Sequence, residues 1–352
     1  MSAAHLVGAL GSVLIVYLAG VLLLGSNWNP TIFIKFDEVT PALQEYGERQ
    51  FEDIVYAGGE GHDGKYFFVQ ASDPFYLEPD QNAFLLDRPT YRAQRMLYPM
   101  LAGGFGLFPP YLTAWSLLIA NVLAAGVGTF LTARVAEAMG LSPLFGLAFV
   151  VNPAVFVSAI IDTAEVFAMT FLMAAILMVI RRRPLGAAAF FALSALSKET
   201  MLVCVVGWVV YEFFGKRRLR WEMAIPFMAV GAWWLYLRVR LDHLPTEGVE
   251  PLGRPFEGFM DALPDWLSQP ALGNDFAIAL ALSFICLFLL SQALVRRSLI
   301  PLLGAGFTLV AIIMVREVWL SYFDVTRGLT PLVTLFFLAL PFTFKPHPDR
   351  LA

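Results

Sequence analysis

The sequence predicts an all-α protein: a polytopic membrane bundle of about ten transmembrane helices, with amphipathic helices in its first outer loop. Three observations predict it. Of the 352 residues, 58% are hydrophobic and only 15% are charged, against about a quarter charged in soluble domains. The mean hydropathy is +0.68. The apolar residues fall in long runs separated by short charged connections, which is the pattern of repeated crossings and not of one large soluble core. Cys204 and Cys286 each lie inside an apolar run, so they form neither a disulfide framework nor a metal cluster.

The first apolar run, residues 6–24, is long enough to span, and no Lys or Arg precedes it. It therefore reads as the first transmembrane helix and not as a cleaved signal peptide. A polar segment, 25–96, follows. In it Thr40-Pro41 reads as an N-cap with proline at the first helical position. Leu43, Tyr46, Phe51, Ile54 and Val55 then fall on one side of a helix, opposite Glu45, Glu48, Arg49, Glu52 and Asp53. Such a helix lies on the membrane surface or against the bundle. Gly58, Gly59 and Gly61 break it, Asp63-Gly64 is a turn signal, and a second amphipathic helix covers 89–97.

Apolar blocks follow at 97–108 (short enough to be re-entrant), 111–133, 143–161, 164–180, 184–197, 200–214, 222–240, 275–295, 298–315 and 328–344. Several fall short of the roughly 20 residues a straight span needs. Broken or short helices are tolerated where neighbours satisfy the freed backbone groups. The chain is thus one membrane domain, 1–352, with outer loops at 25–96 and 241–274, the latter, rich in proline and acids, a second outer lid or a plain connector, read here as the connector.

Basic residues occur at every second connection: Arg134, Arg181–Arg183, Lys216–Arg218 with Arg220, Arg296-Arg297, then Lys345 and Arg350. By the positive-inside rule these turns are cytoplasmic, and so are both termini. Only Glu137, Glu212, Glu222 and Asp349 fall on that side, leaving 24 of the 28 acids outside.

The ionisable residues at the outer helix ends are the site candidates, because charge near lipid is costly unless it has a role. Asp63 in HDGKYF is either a turn residue or a general base. Asp37 and Glu38 are its rivals, or a solvated turn. Asp73 before Pro74 reads first as a cap. Arg92 and Arg95 share a helix face and can clamp a phosphate or snorkel to headgroups. Asp162 and Glu165 have the spacing of a capping arrangement or form an acidic wall for a sugar. Lys198, at the tip of a helical hairpin in SKET, runs against the charge bias and is assigned to a lipid phosphate, with Glu199 beside it. Arg327 either pairs with Asp324 or contacts phosphate.

GxxxxGK[ST], GxGxxG after a strand, GxSxG and HExxH are all absent, and nothing points to nucleic acid. The outer acidic residue after helix 1, the amphipathic helix beside it and the alternating short helices resemble the GT-C superfamily of membrane glycosyltransferases. HDGKYFFVQASDP with RMLYP downstream is similar to the first-loop motif of PIG-V-like mannosyltransferases, and LSKET looks like a feature of bacterial members. His62 stands where the PIG-V type has an aromatic residue, and no C-terminal periplasmic domain follows.

The resemblance implies a bacterial plasma-membrane enzyme whose donor is a polyprenyl-phosphate sugar and whose acceptor is a cell-envelope glycan or glycolipid. It implies an extracytoplasmic site, no cofactor and no divalent metal. Asp63 would be the base, with Asp37 and Glu38 as rivals. Arg92, Arg95, Lys198 and Arg327 would hold the donor phosphate, and Asp162, Glu165 and Glu199 the acceptor or sugar. The alternatives are a lipid-linked-sugar flippase and a non-catalytic subunit of a glycan assembly. A transporter keeps its polar groups at mid-membrane, whereas here they sit at helix ends. A lipid-open cavity between Asp63 and Lys198 separates an enzyme from a scaffold.

Overall fold

The computed structural model describes residues 2–216, 219–242 and 253–343. Arg217, Arg218, Lys345, Asp349, Arg350 and residues 243–252 of the second loop lie outside them. Every regular element among the described residues is helical. The chain opens with α1 (Ala3–Gly25). The polar segment then forms α2 (Pro41–Gln50), α3 (Gly64–Ser72), α4 (Pro89–Ala93) and α5 (Leu97–Ala102). The bundle continues with α6 (Pro110–Ala138), α7 (Pro153–Ile160), α8 (Glu165–Ile180), α9 (Pro184–Ser197), α10 (Leu202–Lys216) and α11 (Ile225–Leu241). It ends with α12 (Glu257–Ser268), α13 (Gly273–Arg296), α14 (Leu299–Ile313), α15 (Tyr322–Gly328) and α16 (Pro331–Thr343), with shorter helical turns between them.

By length and composition, α1, α6 and the stretch Pro270–Arg296 can each cross a membrane. Two bent pairs, Pro143–Val150 with α7 (48°) and α15 with α16 (61°), raise the number of candidate spans to five. The remaining apolar helices are shorter. At 16 residues, α8 is about 24 Å long, less than the hydrocarbon thickness of about 30 Å. It is apolar all round and buried on nearly every side, as a central helix must be. Helix α8 packs against α6 and α9, α6 against α1, and α9 against α11; α14 packs against α10, α13 and α16. Close approach of α1 and α6 rests on small residues. A Cβ on Gly8 would lie 2.8 Å from Phe130 Cβ, and one on Gly126 would lie 2.0 Å from Ser12 Oγ, the small-residue contact that membrane helices use.

The two bent pairs are joined where each one breaks. Asn152 follows the first break and caps α7 through Ala154 N–H (3.0 Å). Its Nδ2 donates to Thr330 O (2.8 Å) and Thr334 Oγ1 (3.1 Å), at the second break. Thr334 Oγ1 in turn donates to Ala148 O (3.1 Å). One side-chain network thus satisfies a carbonyl at each break, Thr330 O and Ala148 O, as interrupted apolar helices need.

Several expectations shift in detail. Helix α2 begins at Pro41 as anticipated but ends at Gln50, so Ile54 and Val55 belong to the following loop. Block 97–108 is helical only to Ala102, after which Phe105 and two glycines adopt positive φ. The 89–97 helix is the single turn α4. The 241–274 segment, read from sequence as a connector, holds the amphipathic α12, tied to the bundle by Arg316 and Asp265 (2.7 Å). Asp162 does not cap α8: the N-cap is Ala164, without a side-chain hydrogen bond.

The polar segment docks on the end of α11. Trp233 Nε1 donates to Ala93 O (2.8 Å), Tyr236 Oη to Phe75 O (2.6 Å) and Arg240 to Tyr76 O (2.6 Å). Glu165 opens α8 at this charged end, and Arg181–Arg183 follow its opposite end.

Gly64, the first residue of α3, sits where three backbone stretches meet. A Cβ there would lie 2.5 Å from Ile161 O, 2.7 Å from Ile34 O and 2.9 Å from Phe33 O. None of these can rotate away as a side-chain tip would. Gly64→Ala is therefore expected to destabilise by about 1–3 kcal/mol, the cost of overpacking. Gly58→Ala, whose Cβ meets nothing within 4 Å, should be neutral. Thermal unfolding of the two variants in detergent checks this; equal melting temperatures would refute the close approach.

Candidate functional site: a buried ion-pair cluster

Seven of the predicted site residues converge. Asp63 precedes α3, Arg92 lies in α4 with Arg95 just after it, Glu165 opens α8, Lys198 and Glu199 form the hairpin tip after α9, and Arg327 lies in α15. Arg327 links two carboxylates: its NH2 is 2.5 Å from Asp63 Oδ2, and its Nε is 3.2 Å from Glu165 Oε1. Lys198 Nζ donates to the same Glu165 oxygen (2.8 Å) and to Arg327 O (2.6 Å). Glu165 Oε2 accepts from Ser158 Oγ (3.1 Å). Arg92 NH1 reaches Asp63 Oδ1 (2.8 Å). Arg95 holds Glu199 in a two-bond fork (3.0 Å each) and donates to Tyr91 Oη (2.7 Å). Lys198 and Glu199 thus point to different partners, as adjacent residues must. Asp324 lies 3.7 Å from Arg327 and is half exposed, a loose fourth contact.

No protein-family model, curated protein or solved structure matches this chain. The chemistry of the cluster therefore has to be read from its own geometry.

Asp63 is bracketed by two guanidinium groups, and its side chain is 20% exposed. Burial alone would raise its pKa, but the charges of Arg327 and Arg92 outweigh that and hold it well below the usual carboxylate range. In this state it is an ionised clamp and a weak proton acceptor. Burial pushes Lys198 down while Glu165 pushes it back up, and the net effect is lowered. Each cation is already neutralised by a carboxylate of the chain. A shallow, open hollow beside Leu144, Phe145 and Phe337 and a small gap beside Ile15 and Phe156 are lined by residues outside the cluster, so neither is the lipid-open cavity expected between Asp63 and Lys198.

The other candidates stand apart. Asp37 is fully buried and pairs with Lys65, 28 residues on. Its Oδ1 accepts from Val39 N (2.9 Å) and Thr40 N (2.7 Å). Burial raises its pKa, but Lys65 and Thr40 outweigh that and lower it. All of this describes a loop staple. Glu38 is exposed. Asp73 receives Leu77 N–H (2.8 Å) and Glu78 N–H (2.9 Å) as a turn residue. Asp162 is fully buried, and neither of its carboxylate oxygens is hydrogen-bonded.

Sequence reading assigned no role to four neighbours. Asp87 grips Arg92 through two bonds (2.9 and 3.0 Å), and its place five residues before Arg92 was the available signal. Tyr66 lies under the Arg92 guanidinium at 4.4 Å. Lys35 faces Asp162. Asn121, the lone amide in the apolar run LLIANVLAAG, borders Asp162 and donates to Tyr98 Oη (2.9 Å).

The depressed pKa of Asp63 makes a pH prediction. A carboxylate whose pKa is lower folded than unfolded contributes stability above its unfolded value, about 3.9. That contribution is lost as pH falls through the folded value. The stability gap between wild type and Asp63→Asn should be constant from about pH 5 to 8 and narrow below about pH 4. Unfolding curves across pH 3–8 test it; a gap that narrows at neutral pH contradicts the paired carboxylate.

Proposed function

We propose that the protein is a membrane glycosyltransferase that moves a sugar from a polyprenyl-phosphate donor to a cell-envelope glycan or glycolipid. The observation that carries the reading is the convergence of Arg92, Arg95, Lys198 and Arg327, from three distant parts of the chain, on a shared group of carboxylates at one end of the helices. Fixed cations in a dehydrated site stabilise a phosphate leaving group, and arginine forks match its oxygens. In this reading the shorter apolar helices also cross, giving about ten spans in a GT-C-like bundle. The basic turns face the cytoplasm with both termini, and the cluster faces outward in a bacterial plasma membrane.

The mechanism we propose is an exchange of partners. The donor phosphodiester takes Arg92 and Arg327 from Asp63, and Lys198 from Glu165. Stripped of its cations, Asp63 gains proton affinity and accepts the proton of the acceptor hydroxyl. That oxygen bonds to the anomeric carbon as the bond from that carbon to the phosphate oxygen breaks, with inversion. The bonding pair leaves on the polyprenyl phosphate, whose second negative charge falls among the arginines. Binding along the lipid tail supplies orientation.

The test is transfer by purified protein in lipid, with a panel of polyprenyl-phosphate sugars. Asp63→Asn should fold and lose transfer by about 10²–10⁴-fold, the usual effect of removing a general base. Transfer retained in that variant moves the base elsewhere. Absence of transfer together with absence of lipid-phosphate binding would sink the enzyme in favour of a non-catalytic subunit, which the self-neutralised cluster would also suit.

A further inference from the structure

Beside the ion-pair cluster lies a second polar group whose hydrogen-bonding capacity is unspent. Asp162 is 0% exposed, yet both its carboxylate oxygens lack a hydrogen-bond partner, as does Asn121 Oδ1. Such atoms are costly unless something completes them. The Lys35 ammonium makes no hydrogen bond or ion pair among the described residues, and its charge is felt at Asp162. Lys35 is only half-buried, so it forms the outer edge of this group. Both residues are held in strained backbone, at φ 62° for Lys35 and 45° for Asp162. Strain of this kind in non-glycine residues gathers at functional sites. The carbonyls just before them, Ile34 O and Ile161 O, both lie close to Gly64.

The surroundings select the ligand. His62 donates its N–H to Lys35 O (3.3 Å), and its ring stands 5.1 Å from Phe323, which packs 4.1 Å from Tyr322. A free anion here would meet Asp162 and, around His62, Asp324 and Asp63; a free cation would meet Lys35 and Arg327. A hydroxyl meets neither objection. It accepts from the ammonium and donates to the carboxylate with one oxygen, and the ring wall suits the apolar face of a pyranose.

We propose that Lys35 and Asp162, with Asn121 and the His62–Phe323 wall, bind hydroxyl groups of the sugar carried by the lipid donor. This rests on the lipid-phosphate reading above and adds to it the place of the sugar. The wall and Lys35 form the open side, and Asp162 is the floor reached when the sugar enters. Lys35 and Asp162 set which sugar is taken, while the arginines hold the phosphate.

Binding to the protein in nanodiscs distinguishes the two ideas. The probes are dodecyl phosphate and dodecyl phosphate esterified to mannose, glucose, galactose or N-acetylglucosamine. Wild type should bind at least one sugar-bearing probe tenfold or more tighter than dodecyl phosphate. Lys35→Met and Asp162→Asn should reduce that ratio to near one and leave dodecyl phosphate binding unchanged. Should Asp162→Asn fail to fold, Lys35→Met decides, because its ammonium holds nothing in place. The sugar subsite is overturned if wild type binds dodecyl phosphate with no preference for any sugar, or if the variants keep the preference. Absence of binding by every probe overturns the lipid-phosphate reading and the subsite with it.

Discussion

The structure at the charged end depends on one guanidinium. Arg327 joins Asp63, 264 residues away in sequence, to Glu165, 162 residues away. It is 5% exposed, and the two carboxylates together neutralise its charge. Removing one partner of such a group typically costs about 3–5 kcal/mol, since the survivor is left charged and dehydrated. The first loop, α8 and α15 are thus joined by ion pairs in addition to their apolar contacts. The carbonyl of Arg327 extends the constraint by accepting from Lys198 (2.6 Å), which brings in the hairpin tip.

This arrangement needs the helices to end where they do. Asn152 ties the break before α7 to the break before α16, where α15, which carries Arg327 to Glu165, meets α16 at an angle. A straight span through 322–343 would carry Arg327 further along one helix axis. The 61° bend and the charged cluster are therefore two aspects of one geometry, with Asn152 paired to backbone on one side and Arg327 paired to carboxylates on the other.

Much of this was legible in the sequence, for reasons that differ by residue. Helix α9 begins at Pro184 and ends at Ser197, as its apolar block does, because proline at the start and SKET at the end are strong local signals. The gathering of Asp63, Arg92, Arg95, Lys198 and Arg327 at one end followed from charge segregation, since ionisable groups crowd where helices leave an apolar medium. Who pairs with whom is not legible: sequence offers Arg327 either Asp324 or a phosphate, and Asp324 does lie at 3.7 Å, but the short contacts of Arg327 are Asp63 and Glu165. Lys65 and Asp37 are separated by a loop whose path local patterns do not encode. The break at 151–152 was hidden because the run on either side is apolar and only Asn152-Pro153 marks it, whereas Gly328 and Pro331 mark the one at 329–330.

Two buried ion pairs in the same loop clarify what the cluster is for. Lys65 and Asp37 are almost fully buried, and Asp37 is fixed further by two backbone N–H groups. To break that pair is to unfold the loop around it. Asp63 is 20% exposed, and its short contacts are to the tips of two long arginine side chains. A buried ion pair adds little net stability over apolar residues of the same size, so a need for stability accounts poorly for four cations in one place. What the Asp63 arrangement has and the Asp37 staple lacks is exchangeability. An incoming anion with better geometry can take the guanidiniums without disturbing a backbone bond, and the carboxylate it displaces becomes a stronger base as it is released. In the mechanism we propose, the closed state would hold two arginines oriented and dehydrated until a donor phosphate took the place of the Asp63 carboxylate.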